Sequence, residues 1–337
     1  MTAPMIHGGD LASATAAYGA PADGWLDLST GISPFAYPDL TCTHEAWTRL
    51  PQAGSEAALL AAARELYRAP NGAGICAAPG TQALIQRVPH LVAKGAVSIV
   101  GPTYCEHSAA WRAAGHDVRN VHHVDETSGA ASVVAVNPNN PDGRTWSCDD
   151  LRLIQARCVE RGGLLVVDEA FADVDDAMSL APDAAAGEGL VVLRSFGKFF
   201  GLAGLRLGFA IAAPDMARRL ADDLGPWAVP GPALEIGARA LSDTHWIDGA
   251  RAQVRAAATT LEATLRAAGL NVIANVGLFV TISDDRATHL HAGLARRGVW
   301  CRRFDYAPDW LRFGLPSATD QVRFANALEG ALRDAAG

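Results

Sequence analysis

Short, continuously apolar runs alternate with Ala-rich stretches along the first two thirds of the chain. AVSIVGP (96–102), ASVVAVNP (131–138), GLLVVDEAF (163–171), LVVLRSF (190–196) and LRLGFAIA (205–212) lack the alternating polar positions of a half-solvated strand. Strands that are apolar on both faces belong in a covered, mostly parallel sheet. Between them the spacing predicts helices over 55–69, 81–94, 105–115 and 148–162; the last opens with SCDD, an N-cap followed by an acidic first turn. After GPWAVPGP (225–232) the texture changes. A long Ala/Arg-rich stretch at about 233–268 reads as one or two helices, followed by strands at VGLFVTIS (276–283) and WLRFGL (310–315) with a helix between them. The segment APDAAAGEG (181–189) reads as an exposed loop. The pattern predicts an α/β protein with an N-terminal arm (1–40), a large domain on a mostly parallel sheet (41–228) and a smaller α+β domain (229–337).

Composition narrows the functional classes. Half of the 337 residues are apolar, enough for a sizeable core. The 28 basic and 36 acidic residues leave a net charge of −8, and no basic run tracks a phosphate backbone, so nucleic acid is not an expected partner. The start, MTAPMIHGGD, has no basic, apolar leader pattern, and no segment offers the roughly 18 uninterrupted apolar residues of a membrane span. A soluble chain is expected. Six cysteines without a C-x-x-C pair argue against a zinc site or a disulfide framework and for reduced thiols in a cytoplasm. His44, His90, His107, His116, His122, His123, His245, His289 and His291 show no metal-ligand spacing; they read as structural, and no metal is expected.

The candidate chemistry gathers around SFGKFFGLAGLRLGF (195–209), an apolar, Gly-rich stretch holding Lys198 between Ser195 and Arg206. Burying unpaired cations is costly, so a ligand that supplies negative charge would resolve the conflict. In open α/β sheets ligands sit beyond the carboxyl ends of the strands. The polar residues there are Tyr104, Asn137, Asn140, Asp168, Ser195 and Lys198, while Gly80, Thr81 and Gln82 open a helix in AAPGTQALI. A desolvated lysine forms Schiff bases with aldehydes, and pyridoxal 5′-phosphate (PLP) is such an aldehyde. Its phosphate calls for backbone N–H groups at a helix start, a hydroxyl and an arginine; its protonated pyridine nitrogen calls for a buried carboxylate. Lys198, Thr81, Ser195, Arg206 and Asp168 would supply those parts. Taken singly, each has an ordinary meaning: a surface lysine, a strand-end carboxylate, and in NPNNPDG a set of turn formers.

S-x-x-K followed by G-L-R-L-G, with V-V-D-E-A-F about 30 residues earlier and N-P-N-N-P-D-G before that, resembles the fold-type I PLP enzymes of the class I/II aminotransferase superfamily, in order over nearly the whole chain. The resemblance implies an aminotransferase-like fold and a homodimer. It makes Lys198 the Schiff-base lysine, Asp168 the partner of the pyridine nitrogen, Asn140 a donor to the phenolic oxygen and Tyr104 the residue stacked on the ring. Arg312, in WLRFGLP, takes the place of the arginine that clamps the substrate α-carboxylate. Within the superfamily, HGGDLASATAAYG, LSTGISPFAYP, D-E-A-F and P-W-A-V are similar to the threonine-phosphate decarboxylases of cobalamin biosynthesis. That group acts on L-threonine O-3-phosphate, an amino-acid phosphate, and releases (R)-1-amino-2-propanol phosphate. The same likeness makes Arg302 and His7 candidates for gripping the substrate phosphate, with Gly31, Ile32 and Asn140 also on the substrate side.

Two departures stand out. Phe171 occupies the position where many relatives carry a tyrosine that reaches the phenolic oxygen. Leu50, in TRLPQAGS (48–55), stands where many carry a tyrosine that reaches the neighbouring subunit's cofactor. Three other readings stay open: an aminotransferase of the histidinol-phosphate type, a PLP-binding protein without activity, and a nucleotide-binding module. The last lacks both G-x-G-x-x-G and G-x-x-x-x-G-K-[ST].

Overall fold

A computed structural model describes residues 8–184 and 189–336. Its strands are β1 (Leu26–Leu28), β2 (Gly74–Ala78), β3 (Ala96–Val100), β4 (Asp117–Val121), β5 (Ser132–Val136), β6 (Leu165–Asp168), β7 (Leu190–Ser195), β8 (Gly208–Ala212), β9 (Asn271–Asn275), β10 (Phe279–Ser283), β11 (Val299–Phe304) and β12 (Ala307–Gly314). Among the described residues they form two sheets, of seven and five strands. The chain divides into two compact units, Ala36–Arg251 and, together, Met1–Phe35 with Ala252–Gly337. The N-terminal segment, expected as an arm, thus groups with the C-terminal unit, because β1 pairs in parallel with β11. Residues 229–251, expected in the smaller domain, group with the larger unit.

The larger unit carries the seven-stranded sheet, in the order β2-β8-β7-β6-β5-β3-β4. Only β8 runs against its neighbours, β2 and β7; the remaining pairs are parallel. Every residue of β5, β6, β7 and β8 is buried, which is why those runs are apolar on both faces. The edge strand β4, DVRNV, is largely exposed and polar, a pattern that blunts an edge and hides it from a search for apolar runs. The helix expected over 81–94 stops at Arg87 and gives way to a 3₁₀ turn, Val88–Leu91, at Pro89, which has no N–H to continue the ladder. The stretch at 233–268 forms two helices, Gly231–Ser242 and Thr244–Ala267. Asp243 separates them, its carboxylate accepting from Trp246 N–H at 3.0 Å as an N-cap does. In the expected loop over 181–189, Ala181 and Ala184 are fully buried in a short 3₁₀ turn, and 185–188 lie outside the described residues.

The five-stranded sheet has the order β1-β11-β12-β10-β9, antiparallel except for β1 with β11. Its register sets Arg302 opposite Arg312 and Arg312 opposite Thr281, so the three side chains leave one face in a row. No described helix is long and apolar enough to cross a membrane.

Packed in this unit is a ring cluster of Tyr18, Trp25, His291 and Trp300, with His291 and Trp300 centroids 4.7 Å apart. His291 is buried, and its Nε2 has no hydrogen-bond partner among the described residues. Burial, with Arg303 nearby, lowers its pKa from 6.5 to about 4. The unfolded chain therefore takes up a proton that the folded chain refuses. The resulting stability is complete above pH 6.5 and is lost as pH falls from there toward about 4. The window amounts to about 3 kcal/mol at most. Urea unfolding between about pH 7 and pH 4 should show a steeper loss for the wild type than for His291→Gln; parallel profiles would exclude the histidine as the cause.

Candidate active site

Strand register assembles one rim of the seven-stranded sheet. Val136 stands opposite Asp168 and Asp168 opposite Leu193, which leaves Ser195 two residues further along the same face of β7. Ser195 pairs with Gly208, and Gly208 with Ala78. The end of β7, the start of β8 and the end of β2 therefore lie side by side. Beyond Ala78 the chain turns through Gly80 into the helix Thr81–Arg87, and just before Gly208 stands Arg206. A Cβ on Gly208 would lie 2.6 Å from Thr81 N, and one on Gly80 would collide with the Arg206 guanidinium. Gly80 also has φ +84°, open to glycine at little cost. Arg206 itself has φ +53°, a left-handed conformation costing about 1 kcal/mol for a non-glycine residue. Its exposed side chain lies against Gly80 and donates to Ala203 O at 3.0 Å. Gly80, Thr81, Ser195 and Arg206 are thus brought together.

Lys198 follows on the short helix Phe196–Phe199. Phe196, Phe199 and Phe200 are buried at the i, i+3, i+4 spacing of one helical face, and Phe200 stacks on Trp246 with centroids 5.4 Å apart. Lys198 lies off that face and is half-buried, its Nζ 6.0 Å from the ring centroid of Phe171. Phe171, itself buried, gives this wall no hydroxyl. Leu50 is exposed.

Asp168 is buried at the end of β6. Its Oδ2 lies 2.9 Å from Nε2 of His107, and its Oδ1 accepts from Ala170 N–H at 3.1 Å. His107, read from sequence as structural, is therefore the partner of the central carboxylate. Its one sequence signal was position: it follows Tyr104 by three residues in PTYCEH, on the helix Cys105–Ala113. Tyr104 meets the His107 ring edge-on, with centroids 6.2 Å apart, and donates its hydroxyl to Gln82 Oε1 at 3.1 Å. Burial first, then the charge of Glu106, pushes the Tyr104 phenol well above its ordinary pKa, so it stays a donor.

Asn140 is half-buried in a loop fixed by its neighbours. Asn137 bonds the Trp146 backbone through both ends of its amide, at 3.1 and 3.2 Å. Asn139 donates to Pro102 O and to Asp142, and Arg144 ties the loop to Gly101 O and His122 O, each at 2.7 Å.

On the opposite face of the rim lies a buried ion cluster that the sequence did not reveal. Arg194 donates to Glu169 at 2.7 Å and to Asp173 at 2.5 Å, and its guanidinium covers the ring of Tyr67 at 4.5 Å. Glu169 also accepts from Ser179 Oγ and Leu180 N–H. Glu169 follows Asp168 and Arg194 precedes Ser195, so this pair clamps the two strand ends that present those residues.

Arg302 and Arg312 belong to the other unit. Arg312 is buried, donates to Ser29 O at 2.8 Å and lies 5.0 Å from the ring centroid of Phe279. Burial, then the neighbouring Arg302, lowers its pKa to about 10. Gly31 and Ile32 follow the Ser29–Thr30 segment that crosses β12, where a Cβ on Gly314 would collide with Thr30 O. His7 lies outside the described residues. No group of three or more His, Cys, Asp or Glu able to hold a metal occurs among the described residues.

Residues 43–330 match the sequence profile described as aminotransferase class I and II. The chain belongs to that family. It is 45% identical over 332 residues to a threonine-phosphate decarboxylase of a Sinorhizobium species, covering 97% of this chain and 98% of that one. It is 42% identical to the threonine-phosphate decarboxylase of Pseudomonas aeruginosa, covering 97% of each. The crystal structure of histidinol-phosphate aminotransferase from Sinorhizobium meliloti in complex with pyridoxal-5′-phosphate superposes with a TM-score of 0.83, covering 98% of this chain and 96% of that one; at 17% identity the likeness is one of fold. The aminotransferase fold expected from the sequence is the one observed.

Removing one partner from the buried cluster tests how far the rim depends on it. Arg194→Met leaves Glu169 and Asp173 buried without their cation and should lower the unfolding free energy by about 3–5 kcal/mol in urea titration; a change below about 1 kcal/mol would mean the cluster does not hold the strand ends.

Proposed function

We propose that this protein is a PLP-dependent lyase that decarboxylates L-threonine O-3-phosphate. The observation that carries the reading is the 42–45% identity to two threonine-phosphate decarboxylases over 97% of the chain. The rim fits the cofactor. Gly80 and Gly208 leave room where backbone N–H groups of a helix start meet the Arg206 guanidinium, the arrangement a phosphate dianion needs. Asp168 is already held by His107 and Ala170 N–H, and each of its carboxylate oxygens keeps a lone pair for the pyridinium N–H.

In this reading Thr81, Ser195 and Arg206 hold the phosphate, with Gly80 and Gln82 beside them; Asp168 holds the ring nitrogen, Asn140 the phenolic oxygen, and Tyr104 covers the ring face. When bound, the cofactor supplies an aldehyde for the Lys198 amine and a π system that accepts the electron pair of the bond broken at Cα. Lys198 would hold the cofactor aldehyde, and its amine would carry the proton returned to the substrate Cα. Arg312 keeps the α-carboxylate in place and Arg302 grips the phosphate, with His7, Gly31 and Ile32 on the substrate side. By holding the α-carboxylate, Arg312 would select the bond to it as the one broken at Cα. Phe171 supports the reading, since the site lacks the tyrosine hydroxyl of many aminotransferases. We extend the reading to cobalamin biosynthesis, a cytoplasmic location and a homodimer; six cysteines outside any disulfide suit a reducing compartment.

L-threonine O-3-phosphate supplied alone should give many turnovers of CO₂ and aminopropanol phosphate. A transaminase would instead stop after one equivalent, with the cofactor in its amine form, until a 2-oxo acid is added; that result would reverse the assignment. Lys198→Ala should abolish both turnover and the borohydride-trapped cofactor adduct seen by mass spectrometry. Arg302→Ala should lower kcat/KM for threonine phosphate by about 30- to 1,000-fold, the range for a charge pair that loses one partner, and leave weak activity on free threonine almost unchanged. Equal losses on both substrates would move Arg302 away from the phosphate.

A further inference from the structure

The side chain of Gln82 bridges two residues of the neighbouring Tyr104–Glu106 segment. Its Nε2 donates to Glu106 Oε2 at 2.7 Å, and its Oε1 accepts from the Tyr104 hydroxyl at 3.1 Å. The order of the two ends is dictated chemically, because an ionised carboxylate can only accept, so the amide NH₂ must face Glu106 and the carbonyl oxygen must face Tyr104. Tyr104 needs such an anchor. It is the N-cap of the helix Cys105–Ala113 but makes no capping hydrogen bond with its side chain. Its ring meets the His107 ring edge-on and packs against the hydrophobic core, while its hydroxyl is bonded to Gln82. Glu106 sits in the first turn of the same helix, where a negative charge is favoured, and so forms a fixed end for the relay.

We propose that Gln82 and Glu106 are positioning residues that fix the Tyr104 ring over the cofactor. The proposal rests on the PLP reading above. Gln82 then acts through Tyr104, and any contact it makes with the cofactor phosphate is left to its backbone N–H. The relay also closes a chain of contacts, Glu106–Gln82–Tyr104–His107–Asp168, that joins the residue on the ring face to the carboxylate at the ring nitrogen.

A double-mutant cycle with Gln82→Leu and Tyr104→Phe tests this in holoenzyme reconstituted with PLP. The readouts are circular dichroism of the visible cofactor band, PLP affinity by titration of the apoprotein, and kcat/KM, with apoprotein thermal unfolding to check that each variant folds. Gln82→Leu alone should lower the visible dichroism about twofold and kcat/KM about tenfold, with PLP affinity changed less than about threefold. In the Tyr104→Phe background the same substitution should have no further effect, because the hydroxyl it serves is gone. Additive losses in the two backgrounds, or a tenfold loss of PLP affinity regardless of Tyr104, would overturn the proposal by making Gln82 a direct phosphate ligand. Should Gln82→Leu not fold, Glu106→Ala carries the same test: a loss in the wild-type background that vanishes with Tyr104→Phe supports the relay, and an equal loss in both overturns it. A wild-type protein that takes up no PLP would overturn the functional reading, and this proposal with it, and is distinguished by the missing visible band before any variant is made.

Discussion

A charge buried at the end of a strand covered on both faces must be given a partner, since its hydration is lost and cannot otherwise be replaced. The rim of the seven-stranded sheet meets that constraint twice. On one face Asp168 is held by His107 across 61 residues of sequence; on the other, Arg194 is held by Glu169 and Asp173. The two sets share a backbone, because Glu169 follows Asp168 and Arg194 precedes Ser195. The cost of burying these ions is offset locally, and what remains is a set of strand ends that hold their side chains in fixed directions. Lys198, Ser195 and Arg206 inherit that rigidity through the strands and turns on which they sit.

The central strands and the polar residues at their ends were legible because each left a local mark. Continuous apolar runs located β3, β5, β6, β7 and β8 to within about three residues at each end, and polar residues at or just past those ends singled out Asp168, Ser195 and Lys198. The strands not foreseen were polar, as in β4, or short and built largely of small residues, as in β2 (GICAA). Pairings across the fold left no such mark. Nothing in the spacing of His107 and Asp168 announces a contact, and Arg194 looked like an odd cation in an apolar run until its two carboxylates were seen beside it. The grouping of the first 35 residues with the C-terminal unit was hidden for the same reason: it depends on the pairing of β1 with β11, which three residues of LDL do not advertise.

Decarboxylases and transaminases of this family can share a cofactor site, since both need the phosphate held, the ring nitrogen paired and the lysine in place. What separates them is which bond at Cα is held across the ring, and that is decided by the groups that hold the substrate. In this chain the two sets lie on different stretches. The cofactor-side candidates fall within Ala36–Arg251, whereas Arg302, Arg312, Gly31 and Ile32 fall in the other unit. Sequence change in the second set could redirect the reaction without disturbing the first. Phe171 stands in the first unit, its ring centroid 6.0 Å from the Lys198 amine.

Arg302 and Arg312 give the substrate side its own physical argument. They stand directly opposite one another on β11 and β12, a like-charged cross-strand pair that destabilises a sheet by itself. Arg312 is also buried, and both burial and Arg302 weaken its hold on its proton. A hydrogen bond to Ser29 O, a cation–π contact with Phe279 and the charges of Tyr306 and Asp27 work against that cost. The opposed pair persists by the same rule that pairs Asp168 with His107: the fold tolerates a buried charge where specific groups answer it.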